Sequence, residues 1–163
     1  MSAITRAGIV TVVGRPSAGK STLLKILVDR LEADAGEVNW GHEVQIGYFA
    51  QDHKDLLSDP KQTTLDFLWD TCPQEGTSYV RGQLGRVLFS GEDVEKKLEA
   101  LSGGEAARLV FSRIMVQQPN VLVLDEPTNH LDLESIEALV SALKCYDGTL
   151  LFVSHDRWFV DAL

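Results

Sequence analysis

Gly14-Arg15-Pro16-Ser17-Ala18-Gly19-Lys20-Ser21-Thr22 stands between an apolar run, Ile9 to Val13, and a helical run, Thr22 to Leu31. The pattern G-x-x-x-x-G-K-S-T between a strand and a helix is that of a phosphate-binding P-loop. A chain that leaves an apolar strand at a glycine and re-enters as a helix gathers several backbone N–H groups around one concavity, where the helix dipole also favours negative charge. A polyphosphate fits there. Lys20 can reach the terminal phosphates as a point charge, and the Ser21 hydroxyl is placed to ligate the Mg²⁺ that accompanies a nucleoside triphosphate. Pro16 has no N–H to offer and Ser17 stands where glycine would adopt positive φ more freely, so the loop is expected to make fewer phosphate contacts than the pattern allows.

Around this loop, 163 residues with 44% hydrophobic content suit one α/β domain with a real core. Fifteen basic residues against 24 acidic ones give a net charge of −9 and no dense basic run, which argues against a broad nucleic-acid or membrane surface. Cys72 and Cys145 are isolated and follow no signal peptide, so reduced thiols in a cytoplasmic protein are expected. No apolar run approaches membrane-spanning length.

Leu23, Leu24, Leu27, Val28 and Leu31 form a stripe that should pack the first helix on the sheet. Val38 to Trp40 and Val44 to Phe49 read as two strands joined by Gly41-His42-Glu43, the second ending near Gln51. From Asp52 to Pro60 the composition is that of a surface loop. Thr63 or Thr64 caps a short helix with Leu65, Leu68 and Trp69, helical spacing resumes over Ser78 to Phe89, and a third short helix fits Asp93 to Leu98. Residues 52–100 thus read as a small helical insertion.

Leu101-Ser102-Gly103-Gly104-Glu105 opens a helix carrying Ala107, Val110, Phe111, Ile114 and Met115. Its two glycines, serine hydroxyl and helix N-terminus suit either a second anion site or a plain capping turn. Val121-Leu122-Val123-Leu124 is a fully apolar strand ending in Asp125 and Glu126, the pattern of a central parallel strand with acids at its C-terminal rim. There Asp125 would hold the Mg²⁺ hydration shell, and Glu126 would act as general base or orient the attacking water. Leu133, Ile136, Leu139, Val140 and Leu143 mark another helix, and Thr149 to Val153 a further buried strand that delivers His155 to the same rim. A histidine there can hydrogen-bond the γ-phosphate or the water.

In these residues the chain resembles the nucleotide-binding domain of the ATP-binding-cassette (ABC) superfamily: a P-loop at Gly14 to Thr22, a Q-loop at Gln51, an LSGGE signature at Leu101 to Glu105, a Walker B strand ending in Asp125 and Glu126, a D-loop through Asp132 and a switch histidine at His155. Gly47-Tyr48-Phe49-Ala50-Gln51, Asp125 to Asp132 (D-E-P-T-N-H-L-D) and Ser154-His155-Asp156-Arg157 look like the ABC-F subfamily, whose members are cytosolic tandem-cassette proteins, many of them translation factors acting at the ribosome. The resemblance implies a mostly parallel sheet flanked by helices with a helical subdomain over about 52–100, and ATP and Mg²⁺ as ligands, with Ser21, Gln51 and Asp125 around the metal. It implies catalysis by Glu126, His155 and Gln51. Ser102, Gly103 and Gly104 would clasp the γ-phosphate held by a second cassette, supplied by the same polypeptide or by a homodimer, and ATP hydrolysis is expected only in that paired assembly. Ribosome contact would come through a parent protein, without membrane insertion.

Two departures from the family accompany this. Pro16 and Ser17 replace its usual Asn and Gly, and no aromatic precedes Gly14 to stack on adenine, the first being Trp40. The chain therefore reads as a core fragment of a larger ABC-F protein, most like a C-terminal cassette lacking the N-terminal antiparallel sheet region. The cytosolic subunit of a membrane transporter and a non-hydrolysing nucleotide-binding fragment are the competing readings.

Overall fold

A computed structural model describes residues 8–11, 19–52, 57, 59–129 and 131–163, with the backbone alone for 9–11. Four strands form one sheet: β1 (Ile9–Thr11), β2 (Ile46–Phe49), β3 (Val121–Asp125) and β4 (Thr149–Val153). Their order is β1-β4-β3-β2 and every pairing is parallel. Phe49 lies opposite Leu124, and Asp125 opposite Val153, so the C-terminal ends of β2, β3 and β4 finish at one rim.

All five residues of β3 are buried, as expected of a strand covered on both faces. Alternation then decides what each residue meets. Val121 and Val123 join Val153 and Leu24 of helix α1 (Lys20–Leu27) on one face. On the other, Leu122 and Leu124 join Leu150 and Phe152 under α4 (Gly103–Val116), α5 (Leu133–Lys144) and α6 (Arg157–Ala162), through Val110 and Ile114, Leu139 and Leu143, and Phe159. Gly47 of β2 lies directly below α4: a Cβ there would sit 2.5 Å from Ile114 Cγ2 and 2.8 Å from Pro119 Cγ, a close approach that only glycine permits.

Between β2 and α4 the chain makes α2 (Thr64–Trp69), α3 (Thr77–Arg86) and two short 3-10 turns, Gly91–Glu95 and Leu98–Ala100. Leu65, Leu68, Val80, Leu84, Phe89, Val94 and Leu98 are buried in the same apolar cluster as α4, so this helical layer is packed onto the signature helix. Thr63 caps α2, its side chain accepting from Asp66 N.

Three sequence expectations are corrected. The first helix ends at Leu27, and Asp29 adopts a left-handed φ of 57°, so the stripe stops short: Leu24 is fully buried whereas Leu23 and Leu31 are exposed. Of the two strands expected at Val38–Trp40 and Val44–Phe49, the first does not form and the second begins only at Ile46. Instead Glu43 takes a φ of 64°, and Asn120 captures the approach to β2, its Oδ1 accepting from Gln45 N and its Nδ2 donating to Glu43 O, each at 2.8 Å. Residues 93–98 are not one helix because Lys96 is extended: its carbonyl accepts from Thr64 N at 2.9 Å, and Lys97 bridges Thr63, which pulls the backbone straight between the two 3-10 turns.

Candidate functional site

Gly19 caps α1 with a φ of 72°, a left-handed conformation that costs glycine little and lets the chain turn straight into the helix. The first-turn amides of α1 have no carbonyls of their own to bond. They border an open cleft lined by Gly19, Lys20, Ser21, Thr22, Glu126, Val153 and His155, so helix α1 and the ends of β3 and β4 meet there.

Asp125 follows the parity of Val121 and Val123 and so faces α1, where Ser21 Oγ donates to its Oδ1 at 2.7 Å. The carboxylate is completely buried, and its Oδ2 has no hydrogen-bond partner. A buried carboxylate oxygen left without a donor is costly, and a cation at that point would answer it. Hydroxyl and carboxylate are hard oxygen donors of the kind Mg²⁺ takes, and Mg²⁺ completes its shell with water and phosphate oxygens rather than with a full protein cage. The residues therefore fit Mg²⁺, although no cluster of three or more His, Cys, Asp or Glu side chains exists among the described residues.

Glu126 N donates to Val153 O at 2.9 Å while its φ is +49°, a conformation unfavourable for a residue with a Cβ. The side chain is 8% exposed, and its Oε2 accepts from His155 N at 3.1 Å while Oε1 lies 3.3 Å from His155 Nε2. The imidazole is more than half exposed and lines the same cleft.

Outside this cleft, Ser102 caps α4 in a reciprocal capping box: its Oγ accepts from Glu105 N at 3.2 Å, and Glu105 Oε2 accepts from Ser102 N at 2.7 Å. The capping turn expected of these residues is thus formed. Lys96 Nζ donates to Glu105 Oε1 at 2.7 Å. Burial pushes the Glu105 carboxyl up, but the bonds from Lys96 and Ser102 outweigh it and hold it below the usual carboxylate value, while the bond to Glu105 holds the Lys96 ammonium above its own. Asp132 caps α5, and its bonds from Ser135 lower its carboxyl.

The structure thus brings Lys20, Ser21, Thr22, Glu126 and His155 to one cleft with Asp125 beneath it. Gln51 is exposed just beyond β2 at the same rim and does not line the cleft. Ser102 and Gly103 are exposed and Gly104 is buried; none of the three lines the cleft. Gly14, Arg15, Pro16, Ser17 and Ala18, with His130 of the D-loop, lie outside the described residues. Neither Trp40 nor Tyr48, the first two aromatics after Gly14, lines this cleft. Trp40 Nε1 donates to Leu27 O at the opposite end of α1 from Ser21, and the Tyr48 hydroxyl is buried, burial and the nearby Asp125 raising its pKa while Arg30 lowers it. Lys96 was invisible to sequence reasoning, since it lies nine residues before Glu105 across irregular backbone that no periodicity describes.

Among known proteins, the family model described as ABC transporter matches residues 2–129. "Putative ATP-binding protein YdiF" of Bacillus subtilis (strain 168) is 49% identical over 98% of this chain and 25% of its own length, and "Probable ATP-binding protein YbiT" of Escherichia coli O157:H7 is 50% identical over 94% of this chain and 29% of its own. The chain spans little more than a quarter of the length of these relatives. Among solved structures, an archaeal ribosome recycling factor, aABCE1, in complex with the ribosomal stalk protein aP1, superposes with a TM-score of 0.78 at 25% identity, over 98% of this chain and 31% of that one. Sheet order, P-loop helix and carboxylate rim agree with the family match over most of the chain: it is an ABC ATPase domain and belongs to the ABC transporter family.

Proposed function

We propose that the chain is one cassette of an ABC-F type protein, which binds ATP with Mg²⁺ and hydrolyses it when a second cassette is docked head-to-tail against it. The observation that carries the chemistry is Asp125: completely buried, bonded to Ser21 through one oxygen and unanswered at the other, directly under a cleft lined by Lys20, Glu126 and His155. In this reading Lys20 and the first-turn amides of α1 hold the β- and γ-phosphates, with the loop 14–18 around them. Ser21 and Asp125 hold Mg²⁺, with Gln51 reaching in from the rim. The ion, when bound, neutralises charge that develops between the β- and γ-phosphoryl groups. Glu126 takes the proton of the attacking water or orients it, and His155 positions Glu126 and the γ-phosphate side of the cleft. Ser102, Gly103 and Gly104 face a nucleotide held by the second cassette.

The ABC-F assignment is supported by Thr128-Asn129-His130-Leu131-Asp132 and by relatives named as ATP-binding proteins. Ribosome association through the parent protein, in the cytoplasm, is favoured by the likeness to a ribosome recycling factor, and no helix among the described residues is long and apolar enough to cross a membrane.

The test is a titration of the chain with ATP, GTP and tripolyphosphate in Mg²⁺, with steady-state turnover measured over a range of protein concentration. Similar affinities for ATP and GTP are expected, because no aromatic among the described residues lines the cleft. Base stacking is worth on the order of 1–3 kcal/mol, so a preference for ATP of two decades would overturn that part. Turnover per chain should climb with concentration; brisk, concentration-independent turnover would refute the paired mechanism. Copurification of the parent with ribosomes supports the ABC-F reading, and copurification with a membrane protein refutes it.

A further inference from the structure

The turn that opens α4 carries a carboxylate close to where a second cassette's phosphate is proposed to dock, and one lysine answers that charge. Both oxygens of Glu105 are engaged, Oε2 by Ser102 N and Oε1 by Lys96 Nζ, each at 2.7 Å. The Glu105 side chain is 18% exposed, so solvent screens it poorly. Lys96 is itself anchored: its carbonyl accepts from Thr64 N at 2.9 Å and from Thr64 Oγ1 at 3.0 Å, and its N donates to Asp93 O at 3.2 Å. Thr64 is fully buried in the first turn of α2, which ties this stretch of backbone to the helical layer.

We propose that Lys96 is a positioning residue for the signature turn, neutralising Glu105 and holding its carboxylate on Ser102 N so that Ser102, Gly103 and Gly104 can receive the γ-phosphate of a second cassette. The inference rests on the paired-cassette reading. Its physical content is electrostatic. A terminal phosphate is strongly anionic, and an unanswered carboxylate seated on Ser102 N, in the turn that receives it, repels it. At the effective dielectric of a partly buried site such a repulsion weakens association by roughly tenfold or more at low salt, and by less as salt screens it. The backbone tie and the charge are separable, because a glutamine at position 105 still accepts from Ser102 N while carrying no charge.

The experiment is sedimentation equilibrium of the chain with Mg²⁺-ATP, at low and high salt, for the wild type, Lys96→Met, Glu105→Gln, the double variant and Ser102→Arg, with thermal melting of each. Lys96→Met is expected to weaken nucleotide-dependent association about tenfold at low salt and less at high salt. Adding Glu105→Gln should restore association to within about twofold of the wild type, since the charge that Lys96 answered is gone. A merely structural lysine would not give this rescue: Lys96→Met would lower the melting temperature, and the double variant would associate no better than the single one. That result, or wild-type association in Lys96→Met, overturns the role of Lys96. Failure of the underlying reading looks different. If the wild type shows no Mg²⁺-ATP-dependent association, or Ser102→Arg associates as tightly as the wild type, the signature turn does not meet a second cassette and this inference falls with it. If Ser102→Arg abolishes association while Lys96→Met leaves it unchanged, the pairing stands and only the lysine's part is lost.

Discussion

Asp125→Asn should move stability in opposite directions with and without ligand. In the ligand-free chain the wild-type carboxylate is completely buried, with Oδ1 bonded to Ser21 Oγ at 2.7 Å and Oδ2 without a partner. An unsatisfied buried acceptor costs about 1–3 kcal/mol, more when it is charged. Asparagine keeps an oxygen for Ser21 and removes the charge, but it introduces an amide N–H₂ that also lacks a partner, so a net gain of about 1 kcal/mol is reasonable. For a chain of this size that raises the melting temperature by about 2–4 °C.

With ligand the sign reverses. A wild-type chain held at about a hundred times the dissociation constant of Mg²⁺-ATP gains about 2.7 kcal/mol, and most of the Mg²⁺-dependent part of that gain should vanish in the variant, which has lost the anionic donor. The assay is differential scanning calorimetry of both chains in buffer, in ATP with a chelator, and in ATP with Mg²⁺. The reasoning fails if Asp125→Asn melts several degrees lower without ligand and still shows the full Mg²⁺ increment, because Asp125 would then be a structural acid satisfied by the fold.

Glu126→Gln should leave ATP binding within about threefold and lower turnover of the paired assembly by ~10²-fold or more, since it keeps the acceptor for His155 N but removes the base; unchanged turnover removes Glu126 from that role. Gly47→Ala should cost about 1–3 kcal/mol, read as a fall in urea midpoint, because its Cβ meets Ile114 Cγ2 at 2.5 Å and Leu122 Cδ2 at 2.9 Å; a neutral result would mean α4 can lift off β2 freely. Glu105 and Asp132 both have carboxyl pKa values lowered from 4.5 and 3.8, so their stabilisation is complete above those values and is lost as pH falls through the lower folded ones. Acid unfolding of the Glu105→Gln, Asp132→Asn variant should therefore show a shallower loss of stability below about pH 4.5 than the wild type, and superimposable acid limbs would refute this.

What the sequence made legible follows from how strongly each residue's neighbours are implied by local pattern. Val121 to Leu124 is apolar at every position, which only a strand covered on both faces tolerates, and β3 is that strand. Thr63, Ser102 and Asp132 all cap helices where their residue types lead one to expect it. Residues 38–45 form no strand although Val38 and Trp40 have strand character, because strand propensity becomes structure only where a ladder is available. What holds that stretch instead is the side chain of Asn120, 75 residues downstream of Gln45, a tertiary contact that no window of sequence contains. The same applies to Lys96, whose extended backbone is set by Thr64 rather than by the residues beside it.

The site shows why adjacent acids can serve one centre although a strand should separate them. Side chains alternate across a sheet, so Asp125 on the α1 face implies Glu126 on the opposite one, buried under α4 and α5. Instead Glu126 has a φ of +49° and bonds its own N–H to Val153 O, which continues the ladder for one residue while breaking the alternation. That conformation costs on the order of 1 kcal/mol or more for a residue with a Cβ, and it persists only because the surroundings hold it. The hold is visible: Glu126 N on Val153 O, His155 N on Glu126 Oε2, and Asn129 N on Glu126 O at 3.1 Å. With those bonds in place, Glu126 opens into the cleft beside Lys20 and Ser21, while Asp125 stays beneath it on Ser21. One residue's departure from strand geometry thus brings the Glu126 carboxylate to the cleft above the buried Asp125 carboxylate. The acid pair is legible in the sequence, whereas the left-handed turn that brings both acids to one cleft is a property of the folded rim.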